Sequence, residues 1–270
     1  MVLSGEILNK TGAPLRTALG EKQVNCPTHG VYTTTGAVYM GRREIWTSCP
    51  ACEEERLAAE RHAEAQAKAS AQRKHIESMI EDSAIPARFI GRSFDNFCAA
   101  NTDQISALKI AQDYAENFAR HYKNGTGLIL SGQPGTGKSH LAAAVLQAIM
   151  PAQAGLYITC LGLIRAIRST WRKDSEKSEG QVLETLCSVP LLVIDEVGVQ
   201  YGTDGEQTIL FDVLDKRYRD MMPTLLLTNQ NTDGFKTFVG ERTYDRLIQT
   251  SKWVQFDWES YRPTARREAV

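Results

Sequence analysis

The chain has almost no net charge: 31 lysines and arginines stand against 32 aspartates and glutamates, a formal −1 over 270 residues. The molecule as a whole therefore gives a polyanion no long-range steering, and any contact with nucleic acid must come from a local basic patch. No apolar run reaches the length of a membrane span, and the opening MVLSGEILNKTGAPL lacks the basic-then-apolar layout of a secretory leader. Both absences predict a cytoplasmic protein with no membrane partner. Internal repeats and low-complexity tracts are missing too, which excludes solenoids and arrays. Cysteine is sparse, at six residues, and a cytosolic chain of this size rarely uses disulfides. Cys98, Cys160 and Cys187 are scattered and read as small buried residues. Cys26, Cys49 and Cys52 cluster with His29.

The length exceeds the ~100–200 residues usual for one domain, which predicts one large domain and a small module. An apolar fraction of 42% is enough for a sizeable core. Residues 1–22 are mixed and polar and receive no structural assignment. Residues 23–52 hold the Cys/His segment: Cys26-x2-His29, nineteen intervening residues, then Cys49-x2-Cys52. Each pair supplies two ligands from one tight turn, and VYTTTGAVYMGRREIW between them suits a short hairpin that brings the pairs together. Thiolate and imidazole favour Zn2+ over hard cations. The segment has too few apolar residues for a core, so metal is expected to fold it. Residues 53–84 are rich in Ala, Glu, Lys and Arg with a thin hydrophobic face, the pattern of a solvated linking helix that ends before Pro86.

From residue 85 to 262 apolar runs alternate with helical patterns, and residues 263–270 form a tail. GLILSG (127–132), GLYITC (155–160), LLVIDE (191–196), TLLLTN (224–229) and KWVQFDW (252–258) read as buried strands. Strands alternating with helices predict right-handed crossovers and an α/β fold around a mostly parallel sheet.

GQPGTGKS fits G-x-x-x-x-G-K-[ST] in full, after a strand and before a helix, which makes the chain a P-loop ATP-binding protein. The nucleotide-contacting set runs Gly132, Gln133, Pro134, Gly135, Thr136, Gly137, Lys138, Ser139 and His140. Backbone N–H groups at the positive end of the helix cradle phosphate oxygens. Lys138 reaches the β- and γ-phosphates, and the Ser139 hydroxyl ligates Mg2+. At the end of LLVIDE, Asp195 holds the Mg2+ through water, and Glu196 orients or deprotonates the attacking water. Asn229, ending a further strand after Thr228, is either a reporter of the γ-phosphate or a strand-terminal turn residue.

LIRAIRSTWRKD places Arg165, Arg168 and Arg172 at spacings of three and four, on one helix face, with Trp171 beside them. Basic residues that track a backbone, with an aromatic to stack on bases, suit single-stranded DNA. The same pattern also fits a solvated amphipathic helix whose Trp packs inward.

SGQPGTGKSHLAAAV, LLVIDEVGVQ, LLLTNQN, GERTYDRL and VQFDWESYR, in this order between Ser93 and Arg262, closely resemble the DnaC-type replicative helicase loaders, AAA+ ATPases related to the DnaA initiator. The resemblance implies the AAA+ sheet, with Asn229 as the sensor-1 residue. It implies that Arg246, with Arg242 as an accessory, forms an arginine finger that reaches a neighbouring subunit's ATP in a homo-oligomer. From the residues alone each arginine is equally an ion-pair partner of Glu241 or Asp245. Arg168 and Trp171 fall where DNA-contacting residues occur in that family. The resemblance further implies ATP-dependent loading of a hexameric DnaB-type helicase onto single-stranded DNA. Too little chain follows Arg246 for a helical lid, and no sensor-2 residue is assigned.

The Cys/His module departs from the DnaC pattern and looks more like DnaI-type loaders, whose N-terminal zinc domain engages the helicase. RREIW is the module's only basic cluster, which favours protein docking over DNA binding. IstB-type ATPases, which remodel DNA for a transposase, share the core, but their second motif tends to read Asp-Asp-Phe-Gly where this chain has IDEVGVQ.

Overall fold

The computed structural model describes residues 16–39, 43–199 and 203–261. The first fifteen residues of the polar segment, Arg42 of the basic cluster, Arg262 and the tail at 263–270 lie outside the described residues. The chain divides into two compact units, Met1–Arg73 and Lys74–Val270.

The first unit is an antiparallel sheet of β1 (Arg16–Cys26), β2 (Gly30–Tyr39) and β3 (Arg43–Trp46), in that order. The β2–β3 pair is the hairpin expected between the Cys/His pairs. β1 was not expected. Its residues are mostly exposed, so no alternation of burial marks it, and it is held by the ladder from Arg16↔Tyr39 to Cys26↔Gly30. Trp46 lies opposite Gly36 and covers it so closely that a Cβ there would stand 2.6 Å from the indole ring. Lys22 Nζ caps the ring 3.8 Å from its centroid. Cys26, Thr34, Gly36, Ala37 and Cys49 are the buried residues described in this unit. That is far too little apolar surface to fold a sheet unaided.

α1 (Pro50–Asp82) starts inside the second Cys pair and is exposed along most of its described length. Among its described residues, Met79 and Ile80, near its end, pack on the core of the second unit. The helix stops four residues before Pro86, where Ala84 turns through the left-handed region.

The second unit is a five-stranded sheet in the order β5-β6-β7-β4-β8, with every pairing parallel. Its strands are β4 (Gly127–Gly132), β5 (Gly155–Thr159), β6 (Leu191–Val197), β7 (Thr224–Thr228) and β8 (Ser251–Phe256), each on an apolar run identified above. Alternate residues feed two cores. Leu128, Leu130, Val193, Leu225 and Leu227 pack under α2 (Thr102–Glu116) and α4 (Lys138–Ile149). Ile129, Leu192, Ile194 and Leu226 face α5 (Cys160–Ser169), α6 (Glu179–Ser188), α7 (Asp204–Arg219), α8 (Thr232–Val239) and α9 (Glu241–Thr250). A short α3 (Phe118–Asn124) links α2 to β4.

Arg217 on α7 is fully buried, and its hydrogen bonds go to neutral groups. The guanidinium donates to the carbonyls of Leu186, Cys187 and Val189 at the end of α6, to Pro223 O, and to Thr224 Oγ1 on β7. The carbonyl end of a helix dipole thus offsets a cation inside the core. Burial still pulls the arginine's pKa down to about 10. No described helix is long and apolar enough to cross a membrane.

Candidate nucleotide and metal sites

β4 ends at Gly132 and α4 begins at Lys138, so the GQPGTGKS loop turns at the C-terminal edge of the sheet. Gly135 and Gly137 take φ of 84° and 97°, which side-chain-bearing residues rarely adopt. A Cβ on Gly137 would also stand 2.6 Å from the Phe97 ring. Lys138 is 7% exposed, and its ammonium donates to the carbonyls of Gly132 (2.7 Å) and Gln133 (2.9 Å), folding back over the loop. Two residues after β8 brace the loop from outside: Trp258 Nε1 donates to Thr136 O (3.0 Å) and the Tyr261 N–H to Gly135 O (3.0 Å). His140 faces away from the loop. Its Nε2 bonds Ser93 O at 2.8 Å and its ring meets Phe97 edge-on, while burial pulls its pKa down. In this structure His140 ties α4 to the 93–97 segment.

Asp195 sits at the end of β6, with β7 between it and the loop strand. Ser139 Oγ nevertheless donates to Asp195 Oδ2 at 2.9 Å, because both side chains reach over the edge of the sheet. The hydroxyl of Tyr157 on β5 donates to the same oxygen. Against β7 the register of β6 slips between Ile194 and Val197, so Asp195 and Glu196 together oppose Leu227. This bulge re-aims both carboxylates and leaves Glu196 exposed with φ of 60°. The turn is held by Thr228 Oγ1 on Val197 O (2.7 Å) and by Gln230 Nε2 on Gly198 O (3.0 Å). Ser131 Oγ on Gln230 O (2.7 Å) joins it to the loop strand. Asn229, exposed, leaves β7 between these contacts. The sequence reading missed Tyr157, Ser131 and Gln230. For Tyr157 the available signal was a phenol in an otherwise apolar strand, since a buried hydroxyl needs a partner.

The donors fit the expected groups. Left-handed glycines and a buried lysine at a helix N-terminus suit a polyphosphate, and a hydroxyl beside a carboxylate supplies the hard oxygens that Mg2+ takes.

Arg246 on α9 makes an ion pair with Asp215 on α7, and its guanidinium lies 5.1 Å from the Tyr218 ring centroid. Glu241 pairs instead with Lys236, at 2.9 Å. Arg242 is exposed, 5.5 Å from the Phe211 ring. In the basic strip, α5 stops at Ser169, so Arg165 and Arg168 are helical while Trp171 and Arg172 follow in turns. The expected single helix face for the three arginines is therefore broken. Ser169 and Thr170 return their hydroxyls to the carbonyls of Ala166 and Ile167, local bonds that compete with helix continuation. All four residues are exposed. Trp171, 60% exposed, does not pack inward; its Nε1 donates to Glu179 Oε2 at 2.7 Å. Arg168 lies 3.7 Å from Glu206 on α7.

The cluster in the first unit converges. The ligand atoms of Cys26, His29, Cys49 and Cys52 all lie within 4.8 Å of one another. Cys26 Sγ is 3.5 Å from Cys52 Sγ, and His29 Nδ1 is 3.2 Å from Cys52 Sγ. Tetrahedral Zn–S bonds of about 2.3 Å set sulfurs about 3.8 Å apart, so the donors fit zinc. Backbone N–H groups of Thr28 and His29 bond Cys26 Sγ and bring its pKa down to about 6, favouring the thiolate that a metal requires. His29 turns Nδ1 toward the sulfurs and bonds Glu55 Oε1 through Nε2, at 3.1 Å. A carboxylate behind a ligating imidazole fixes ring and tautomer.

A parallel sheet in this order, with a phosphate loop after β4 and a bulged acidic pair after β6, defines a P-loop ATPase of the AAA+ class. The chain belongs to the IstB-like ATP binding protein family, whose profile matches residues 54–269, and within it resembles the DnaC-type loaders. It is 40% identical over 172 residues to the replicative helicase loader DnaC of Escherichia coli, covering 63% of this chain and 69% of that protein. The DnaC of Buchnera aphidicola (Acyrthosiphon pisum) is 34% identical, over 69% of this chain and 76% of its own. A crystal structure of the DnaC helicase loader superposes with a TM-score of 0.57 at 23% identity, over 63% of this chain and 99% of that one. DnaA from Aquifex aeolicus bound to AMPPCP gives 0.55 at 18%, over 69% and 56%. These superpositions establish the AAA+ fold.

Proposed function

We propose that this protein is an ATP-dependent loader that places a hexameric DnaB-type helicase on single-stranded DNA. The observation that carries the reading is the Ser139–Asp195 contact across an intact phosphate loop, in a chain related to proteins named replicative helicase loader. Lys138 binds the β- and γ-phosphates, and Ser139 and Asp195 would hold Mg2+, which would supply charge neutralisation at the phosphate oxygens. Glu196, set outward by its bulge, orients the attacking water or takes its proton. Asn229, just past the end of the strand between loop and carboxylates, hydrogen-bonds the γ-phosphate or that water. Arg246, with Arg242 beside it, serves the ATP of a neighbouring copy, which makes hydrolysis depend on homo-oligomer assembly. To do so it must exchange Asp215 for phosphate oxygens.

Arg165, Arg168, Trp171 and Arg172 form an exposed basic and aromatic strip for single-stranded DNA. The zinc module docks the helicase. The test is capture of a purified DnaB-type helicase, with ATP, with ADP and without nucleotide. Nucleotide-dependent capture supports the loader. Absence of capture, together with ATP-dependent binding to duplex DNA, supports instead an IstB-like role in which the ATPase remodels DNA for a transposase.

A further inference from the structure

We propose that Tyr157 is a positioning residue for the Asp195 carboxylate, an inference that rests on the nucleotide-site reading above. Tyr157 lies on β5, at the sheet edge beside β6, and is 2% exposed. Its hydroxyl and Ser139 Oγ both donate to Asp195 Oδ2, while Oδ1 accepts the Glu196 N–H at 2.7 Å. Three donors thus hold the carboxylate: one from the phosphate-loop helix, one from the edge strand and one from the backbone of the next residue. Ser139 is itself a metal-holding group, so its hydroxyl serves two purposes.

The phenol is also fixed from behind. Its backbone N–H donates to Ser83 O at 2.7 Å, and Ser83 is fully buried. The Phe89 ring stacks on Tyr157 with centroids 6.4 Å apart. An apolar side chain would fill this strand position without the cost of burying a hydroxyl. What the hydroxyl adds is a defined orientation for Oδ2 before metal arrives, and partners behind a metal ligand typically contribute 10- to 100-fold in metal affinity.

The test is nucleotide affinity of Tyr157→Phe, measured with a fluorescent ATP analogue in Mg2+ and again in EDTA. In EDTA the variant should match wild type. The gain in affinity on adding Mg2+ should shrink about tenfold, and the Mg2+ concentration at half-saturation should rise to match. Tyr157→Ile, which suits the apolar strand, should behave alike and stands in if the phenylalanine variant folds poorly. An unchanged Mg2+ gain in the variants overturns the inference while leaving the site reading intact. Equal losses in Mg2+ and EDTA show a purely structural tyrosine and overturn it as well. A wild-type protein that gains nothing from Mg2+ overturns the site reading and the inference together.

Discussion

Ser139 Oγ and Asp195 Oδ2 lie 2.9 Å apart although 56 residues separate them in the chain. The contact joins the phosphate loop to the strand that carries the acidic pair, and it fixes which substitutions abolish binding and which abolish chemistry. Lys138→Ala should lose ATP binding, since its ammonium is the cation folded over the loop. Glu196→Gln should bind ATP with near-normal affinity and turn over at least 100-fold more slowly, because it lies outside the loop and acts on water. Equilibrium binding and phosphate-release assays on both variants check this. Normal turnover in Glu196→Gln would remove the assignment.

Arg246 sits in an ion pair with Asp215 within its own chain, so a role in trans must be demonstrated by mixing. Arg246→Ala should bind nucleotide normally and lose DNA-stimulated hydrolysis. Lys138→Ala keeps its arginine and has a dead site. Intact sites on Arg246→Ala copies should regain activity beside such a neighbour, giving partial rescue. No rescue at any ratio would show that Arg246 acts within its own chain.

Trp171 stands clear of the core at 60% exposure. Replacing it with alanine should weaken single-stranded DNA binding by roughly 1–3 kcal/mol, the value of one stacked base. Arg168→Ala should flatten the salt dependence of binding instead. Fluorescence anisotropy at three salt concentrations separates the two effects, and unchanged affinity in both variants would dismiss the strip.

What the sequence disclosed tracks how locally each feature is encoded. β6 and β7 are apolar because both faces are buried, and the phosphate loop is spelled out by glycines whose backbone only glycine tolerates. The convergence of Cys26, His29, Cys49 and Cys52 was legible from two short spacings. β1 escaped because pairing with β2, rather than burial, holds it. Tyr157 escaped because its partner Asp195 lies 38 residues downstream on another strand. Arg172 was misplaced because the helix-ending bonds of Ser169 and Thr170 use side chains that a periodicity pattern ignores.

Arg217 is a cation inside the core whose bonds run to five neutral acceptors. Arg217→Ala should destabilise the second unit by about 3–5 kcal/mol, since it strands carbonyls of α6 and the turn before β7. Arg217→Lys should recover only part of this, because an ammonium cannot reach both sides of the fork. Denaturant unfolding of the two variants measures it, and a change under about 1 kcal/mol in Arg217→Ala would mean that water replaces the guanidinium.

The Cys/His module offers the sharpest separation of roles. If Cys26, His29, Cys49 and Cys52 hold one ion, the purified chain should contain about one zinc per protomer. Cys49→Ser should release it and unfold the first unit alone, because that unit has almost no apolar core while the ATPase sheet is built from separate strands. Glu55→Gln should keep the fold and weaken zinc by roughly 10- to 100-fold in chelator competition, through the His29 ring it orients. Cys49→Ser should also retain basal ATPase activity and single-stranded DNA binding while losing the helicase. Both affinities are measured on that one variant. Retained helicase binding with lost DNA binding would make the module a nucleic-acid reader and end the docking proposal.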